Sequence, residues 1–197
     1  LFRSNFVDYT LSRGFHEFNS RPYIAYSLHP LLNLEAFGSE LVSSKVRELL
    51  DHVSFTYALR SLNDKNYSLH CRLFDKGKDT GFDLCHQSTF FKSWQGIPVD
   101  HGINHSIAAS ILPYRPSPEV MDLVHSKGEG YVAMLGHNKS AEIYGAGTKT
   151  LMSGGVRDQR DDDATVKPIT LITDGDVNDL SQTLSLGKPQ KCQKLNL

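Results

Sequence analysis

The stretch that decides the fold is SLHPLLNLEAFGSELVSSKVRELLDHVSFTYALRSL, residues 27–62. Its first part predicts a short helix, because Ser27 is a favourable N-cap and Pro30 falls in the first turn, where its missing N–H does no harm. This helix is predicted to end at Gly38, since glycine readily adopts the backbone conformation that ends helices. The stretch therefore begins with one helix that ends at a glycine.

The second part of this stretch predicts a longer amphipathic helix. Apolar side chains recur there at helical spacing and form one stripe: Val42, Val46, Leu49, Leu50, Val53 and Tyr57. Only Gly38 and Ser39 connect the two helices, so they must run antiparallel. The sequence thus predicts an αα-hairpin over residues 27–61, with Leu49, Leu50 and Val53 buried at the centre of the stripe.

The chain on the C-terminal side of the hairpin changes character twice. Residues 62–114 are mixed and loop-like, and SPEVMDLVHSKG, residues 117–128, predicts a short helix. From Tyr131 the apolar period shortens to that of strands, in the segments YVAMLG, AEIYGAG, KTLMSGGV and VKPITLIT. Between the last two, RDQRDDDAT predicts a solvated loop, because clustered like charges prefer water.

These patterns predict an α+β fold, with one or more αα-hairpins followed by antiparallel β-sheet. The expected division is a helical part over residues 1–128, an antiparallel β part over residues 129–186 and a tail over residues 187–197. The switch from a period of 3.6 residues to a period of two near Gly130 marks the boundary between the first two parts.

Composition and charge restrict the function. The 197 residues carry a formal net charge of -1, which gives no overall attraction for nucleic acid or for an anionic membrane surface. No apolar run is long enough to span a membrane, and neither a glycine-rich phosphate loop nor a Gly-x-Ser-x-Gly elbow occurs. We therefore expect no nucleic-acid partner, no membrane partner, no metal site and no cofactor.

A polar cluster, HEFNSRPYIAY, precedes the hairpin and is the first candidate site. Its candidate residues are Glu17, Asn19, Arg21, Tyr23 and Tyr26. They lie just before the predicted helix start, where backbone N–H groups and the helix dipole favour an anion. The alternative is structural: Glu17 and Asn19 cap backbone groups at a chain reversal, and the tyrosines pack as half-buried core.

Two further groups contain side chains suited to proton transfer. The first is Asn104 with His105 in VDHGINHSIAAS, for which the alternative is a loop histidine bonded to backbone. The second is His137 with Glu142 and Tyr144 in LGHNKSAEIYG, where the last two share one face of a predicted strand. Its alternative is an exposed hairpin face without a ligand.

Two segments resemble a known group of proteins. The segment from Glu17 to Tyr23 resembles the Glu-x-Asn-Ser-x-x-Tyr motif that leads into an αα-hairpin in bacterial proteins with an α/α-toroid. AEIYGAGTKTLMSGG, residues 141–155, resembles the start of the β-sandwich that follows such toroids. The group is that of the heparinase-like and alginate-lyase-like polysaccharide lyases and their uncharacterised relatives. The resemblance implies that this chain carries the last toroid helices and the first sandwich strands, because it is too short for both domains.

The resemblance also implies an activity, namely β-elimination on an anionic, uronate-containing polysaccharide by a secreted or periplasmic protein. It assigns catalysis to Asn19, Tyr23, Asn104, His105, His137 and Tyr144, and substrate binding to Glu17, Arg21, Tyr26 and Glu142. Such a site must neutralise the uronate carboxylate, remove the C5 proton and protonate the leaving oxygen. We expect Asn19 or Arg21 to share a concavity with His105, His137 or Tyr144. The alternative function is non-catalytic glycan binding by a surface protein of the same architecture.

Overall fold

The structure of the chain is a computed structural model that describes residues 2–15, 23–63, 65–66, 86–99, 106–136, 142–147, 149–155, 170–173 and 193–195. Its helices in this part of the chain are α1 (Phe2–Arg13), α2 (Tyr23–Phe37), α3 (Glu40–Leu59), α4 (His86–Trp94), α5 (Ile107–Ile111) and α6 (Pro118–His125). The strands are β1 (Ser61–Leu62), β2 (Lys65–Asn66), β3 (Tyr131–Leu135), β4 (Glu142–Ala146), β5 (Thr150–Gly155), β6 (Thr170–Thr173) and β7 (Gln193–Leu195). The fold class is α+β, as predicted.

The αα-hairpin forms from α2 and α3, which pack against each other across the connection predicted for them. The start of α2 was predicted wrongly, because the helix begins at Tyr23 and not at Ser27. Ile24 and Ala25 are buried in this added turn, so packing against the core extends the helix beyond the local capping signal. Pro30 consequently lies inside α2, on its exposed side.

The stripe on α3 forms the centre of the main core, as predicted. Leu49 and Leu50 are completely buried and Val53 is buried as well. The stripe packs against buried side chains from the neighbouring elements: Val7, Ile24, Ala25, Leu28, Leu31, Leu32, Phe90, Ala109, Leu112 and Tyr114. Burial of α3 over most of its length makes this helix the scaffold on which the other elements are placed.

Three helices occur where the sequence predicted none. The first, α1, packs on α3, and an ion pair of 2.7 Å joins Lys45 to Asp8. The second, α4, buries Phe91, whose ring stacks on that of Tyr57 with 3.8 Å between the centroids. The third is α5, which packs on α2 and α4. These short helices owe their stability to tertiary contacts, which local periodicity does not reveal.

The predicted helix near residue 118 is confirmed as α6. Ser117 is its N-cap and accepts a hydrogen bond from the backbone N–H of Val120 at 3.4 Å, and Pro118 occupies the first turn. α6 packs on α3 and β1. It therefore links the long helix α3 to the strand β1 that follows it.

The larger sheet has the strand order β6-β5-β4-β3-β7. The pairs β3–β4, β4–β5 and β5–β6 are antiparallel, as predicted for this part of the chain. β7 pairs in parallel with β3, so a segment that the sequence indicated as tail adds an edge strand. The predicted loop over residues 157–165 lies outside the described residues.

The sheet packs against the C-terminal end of α3. A second apolar cluster joins the two parts and consists of Leu59, Leu62, Tyr131, Ala133, Leu135, Ala146 and Leu151. β1 follows α3 directly and pairs with β2 in a separate two-stranded sheet. The end of α3 is thus the point where the helical part and the sheet meet.

Candidate functional site

A cleft of about 400 Å³ lies where α1, α3 and β3 meet. Its polar lining residues are Ser12, Arg13, Glu48, His52, Thr56 and Arg60, and its other lining residues are Leu11, Gly14, Phe15, Ile24, Val53, Met134, Leu135 and Gly136. A concave site with an apolar lining and a few convergent polar groups is the usual form of a ligand-binding site. This cleft is therefore the candidate functional site.

One face of α3 supplies most of the polar side chains in the cleft. Glu48, His52, Thr56 and Arg60 follow one another at intervals of four residues, so they lie one helical turn apart along a single face. At a rise of 1.5 Å per residue this row extends for about 18 Å. We call these four residues the polar row.

The polar row was overlooked in the sequence, although its signal is present there. The apolar stripe of α3 indicates a core helix and predicts no role for the polar residues beside it. The repeat of polar side chains at i, i+4, i+8 and i+12 indicates one polar face of the helix, and only the placement of α1 and β3 opposite this face makes it a cleft wall.

Arg60 is the least exposed member of the polar row. Only 2% of the residue is exposed, and its Nε donates a hydrogen bond to the Thr56 carbonyl at 2.9 Å. Its Nη2 lies 3.4 Å from Oε1 of Gln87 on α4. The cation is therefore held in a fixed position at the cleft wall, and burial strengthens its electrostatic effect on a nearby anion.

The C-terminal end of α3, next to Arg60, is capped by side chains. The last four carbonyl groups of a helix have no partner within the helix. In α3 each of them accepts a side-chain hydrogen bond: Thr56 from Arg60 Nε (2.9 Å), Tyr57 from Ser61 Oγ (2.8 Å), Ala58 from Lys127 Nζ (2.7 Å) and Leu59 from Tyr131 OH (2.7 Å). We call this set of four donors the α3 cap.

The opposite wall of the cleft contains Arg13 at the end of α1. Its guanidinium carbon lies 5.5 Å from the centroid of the Tyr9 ring, a cation–π contact. Gly14 and Gly136 line the same cleft and have φ angles of 78° and 95°, which favour glycine. The cleft thus combines two guanidinium groups, one imidazole and one carboxylate between backbone turns.

Two of the residues predicted for the site, Tyr23 and Tyr26, lie on α2 outside this cleft. They are 40% and 57% exposed, and their ring centroids are 6.2 Å apart. Glu142 and Tyr144 lie in β4, where Glu142 pairs with Leu135 of the cleft lining and Tyr144 pairs with Ala133. The other predicted residues lie outside the described part of the chain: Glu17, Asn19, Arg21, Asn104, His105 and His137.

The described residues also bear on metals and membranes. Among them, no group of three or more His, Cys, Asp or Glu side chains is placed to hold a metal ion. In the same part of the chain, no helix combines the length and the apolar character that crossing a membrane requires.

Lys127 of the α3 cap should make the stability of the protein depend on pH. Burial lowers the pKa of Lys127 from its usual 10.5 to about 7. Between these values the unfolded chain carries a proton on Lys127 that the folded chain lacks, so the free energy of unfolding should rise with pH by at most about 1.4 kcal/mol per unit. Below the lower value both states are protonated, and this contribution becomes constant.

Urea unfolding of the wild type and of Lys127→Met across this pH range measures the effect. The difference between the two free energies of unfolding should change with pH from neutral to alkaline conditions, because the variant lacks the amine. Lys149→Met is the matched control, since Lys149 is exposed. A difference between wild type and Lys127→Met that stays constant over this range would contradict the prediction.

Comparisons with known proteins identify no relatives of this chain. No protein-family model matches it, and neither a curated protein nor a solved structure shows significant similarity to it.

Proposed function

We propose that the cleft between α1, α3 and β3 binds an acidic, uronate-containing polysaccharide and that the protein cleaves this chain by β-elimination. The observation that supports the proposal is the convergence of Arg13, His52 and Arg60 on one elongated cleft. The exposed Arg13 can pair its planar donors with the two oxygens of a carboxylate, and the buried Arg60 attracts the carboxylate by its charge. A polymer of uronates presents such carboxylates along its length.

In the proposed reaction, the arginines neutralise the uronate carboxylate, which makes the C5 proton more acidic. His52 in its neutral form accepts that proton, the C4–O4 bond breaks, and a double bond forms between C4 and C5. The imidazolium then gives its proton to O4 of the leaving sugar, so that His52 returns to its starting form. Glu48 lies one helical turn before His52 on the same wall of the cleft.

Some of the residues that the sequence predicted for the site stay candidates in this proposal. Residues 16–22 connect Phe15 to Tyr23, and Phe15 and Ile24 both line the cleft. His137 follows Gly136, which also lines it. Asn19, Arg21 and His137 therefore belong to segments that adjoin the cleft lining in the sequence, and they stay candidates for neutralising or protonating groups.

Direct incubation with polymers tests the proposal. The chain is mixed with polygalacturonate, alginate and heparin, and with dextran as a neutral polymer. Binding is measured by calorimetry, and unsaturated uronate ends are measured by their ultraviolet absorbance. Binding to at least one acidic polymer with release of unsaturated ends is expected. Absence of binding to all three would overturn the proposal.

The charge of Arg13 should contribute to this binding. Arg13→Gln is expected to weaken the affinity for the acidic polymer about three- to tenfold, because an exposed cation contributes modestly to an ionic contact. Arg115→Gln is the matched control, since this exposed arginine lies outside the cleft and its replacement changes the net charge equally. Equal losses in both variants would indicate general charge attraction and not binding in the cleft.

A second candidate function is non-catalytic glycan binding. Tyr23 and Tyr26 favour it, because these exposed, neighbouring rings lie outside the cleft and extend the surface that a sugar chain could contact. Binding tolerates such a spread surface, whereas catalysis requires convergent groups. Binding to an acidic polymer without any unsaturated product would favour this second function.

A further inference from the structure

We propose that Lys127 and Tyr131, which lie outside the cleft, are positioning residues that hold the Arg60 guanidinium at the cleft wall, where its charge attracts the acidic ligand. This inference rests on the proposed function of the cleft. It adds two residues that do not contact the ligand and that no motif in the sequence indicated.

The geometry connects both residues to the end of α3. Lys127 Nζ donates to the Ala58 carbonyl at 2.7 Å and also to the carbonyl of Leu123 in the last turn of α6. Tyr131 OH donates to the Leu59 carbonyl at 2.7 Å. Tyr131 begins β3, so these bonds attach the last turn of α3 both to α6 and to the sheet.

Arg60 immediately follows this last turn. Its backbone N–H donates to the Tyr57 carbonyl at 3.0 Å, and its side chain returns to the Thr56 carbonyl. Backbone and side chain of Arg60 are therefore both attached to the turn that Lys127 and Tyr131 fix. If this turn moves, the guanidinium moves with it, and a displacement of about 1 Å is enough to weaken a site that depends on orientation.

The two residues can act only through the helix end. Neither Lys127 nor Tyr131 lines the cleft, whereas Arg60 does, although only 2% of it is exposed. Asp122, His125 and Glu129, the ionisable residues near Lys127 in the sequence, are exposed. A ligand in the cleft would thus meet Arg60 and not the groups that position it.

The test compares Tyr131→Phe and Lys127→Met with Tyr57→Phe. Tyr57→Phe is the matched control, because it also removes a buried tyrosine hydroxyl, which donates to Ser88 Oγ at 3.0 Å, but leaves the α3 cap intact. Three quantities are measured in each variant: the affinity for a uronate oligosaccharide, and the NMR shift and hydrogen-exchange rate of the Arg60 Nε–H without ligand. Tyr131→Phe removes one oxygen atom and tests the inference even if Lys127→Met fails to fold.

We expect both α3-cap variants to shift the Arg60 Nε–H signal, to accelerate its exchange and to weaken affinity by up to about tenfold, the most that the loss of one ordinary hydrogen bond costs. Tyr57→Phe should leave all three quantities unchanged. An unchanged Arg60 signal in Tyr131→Phe, or an equal change in Tyr57→Phe, would overturn the inference. If the wild type binds no uronate, the proposed function fails, and the Arg60 signal still decides whether the α3 cap positions this residue.

Discussion

Replacement of His52 by glutamine is expected to lower the rate at which unsaturated uronate ends appear by about 10² to 10⁴-fold, the usual contribution of a general acid–base residue. His52 lines the cleft on the polar row, one turn from Glu48. Glutamine keeps a polar side chain of similar reach but cannot exchange a proton near neutral pH. The affinity for the polymer should stay close to that of the wild type, because the arginines are retained.

The control for this prediction is His125→Gln. His125 is an exposed histidine on α6 and does not line the cleft. Its replacement should leave the rate unchanged. If His52→Gln releases product as fast as the wild type, another group removes the C5 proton, and the role given to His52 is wrong.

Replacement of Leu50 by alanine is expected to reduce the free energy of unfolding by about 2 to 5 kcal/mol. Truncation of a fully enclosed leucine removes buried apolar atoms and also leaves a cavity. Leu50 is completely buried at the centre of the α3 stripe. Its surroundings are contributed by several elements, so they cannot all collapse into the vacated space. Urea unfolding at constant pH measures the effect.

Leu41→Ala provides the matched comparison, because it deletes the same atoms from the same helix. Leu41 is 66% exposed, so its replacement should change the free energy of unfolding by less than about 0.5 kcal/mol. Equal effects of the two substitutions would show that the α3 stripe is not the core. An unchanged unfolding midpoint in Leu50→Ala would show the same.

The hairpin and the sheet could be predicted because their signals are local and repeated. The stripe through Leu49, Leu50 and Val53 spans several turns of one helix. In any other secondary structure these apolar side chains would not lie on one face, and some of them would be exposed to water. The strands β3 to β6 lie within the four segments predicted as strands, YVAMLG, AEIYGAG, KTLMSGGV and VKPITLIT. By contrast, the start of α2 was misplaced, because burial of Ile24 outweighed the N-cap preference of Ser27.

The candidate site was harder to predict, since residue type indicates chemistry but not proximity. Tyr23 and Tyr26 were chosen for their type and lie outside the cleft. His52 and Arg60 were not predicted as site residues. They lie on α3, and its apolar stripe identified α3 only as a core helix. A polar row beside a buried stripe becomes a cleft wall only when other elements stand opposite to it.

The sequence by itself determined the αα-hairpin, the antiparallel strands and the α+β class, because each follows from a periodicity that neighbouring residues enforce on one another. Only the tertiary structure decided where α1, α4 and β7 lie and that β3 meets the end of α3. The capping of α3 by Lys127 and Tyr131 depends on hydrogen bonds between groups far apart in sequence. The physical reason is that unpaired carbonyl groups at a helix end need partners, but any suitable donor can satisfy them, and the packing of the chain selects which one does.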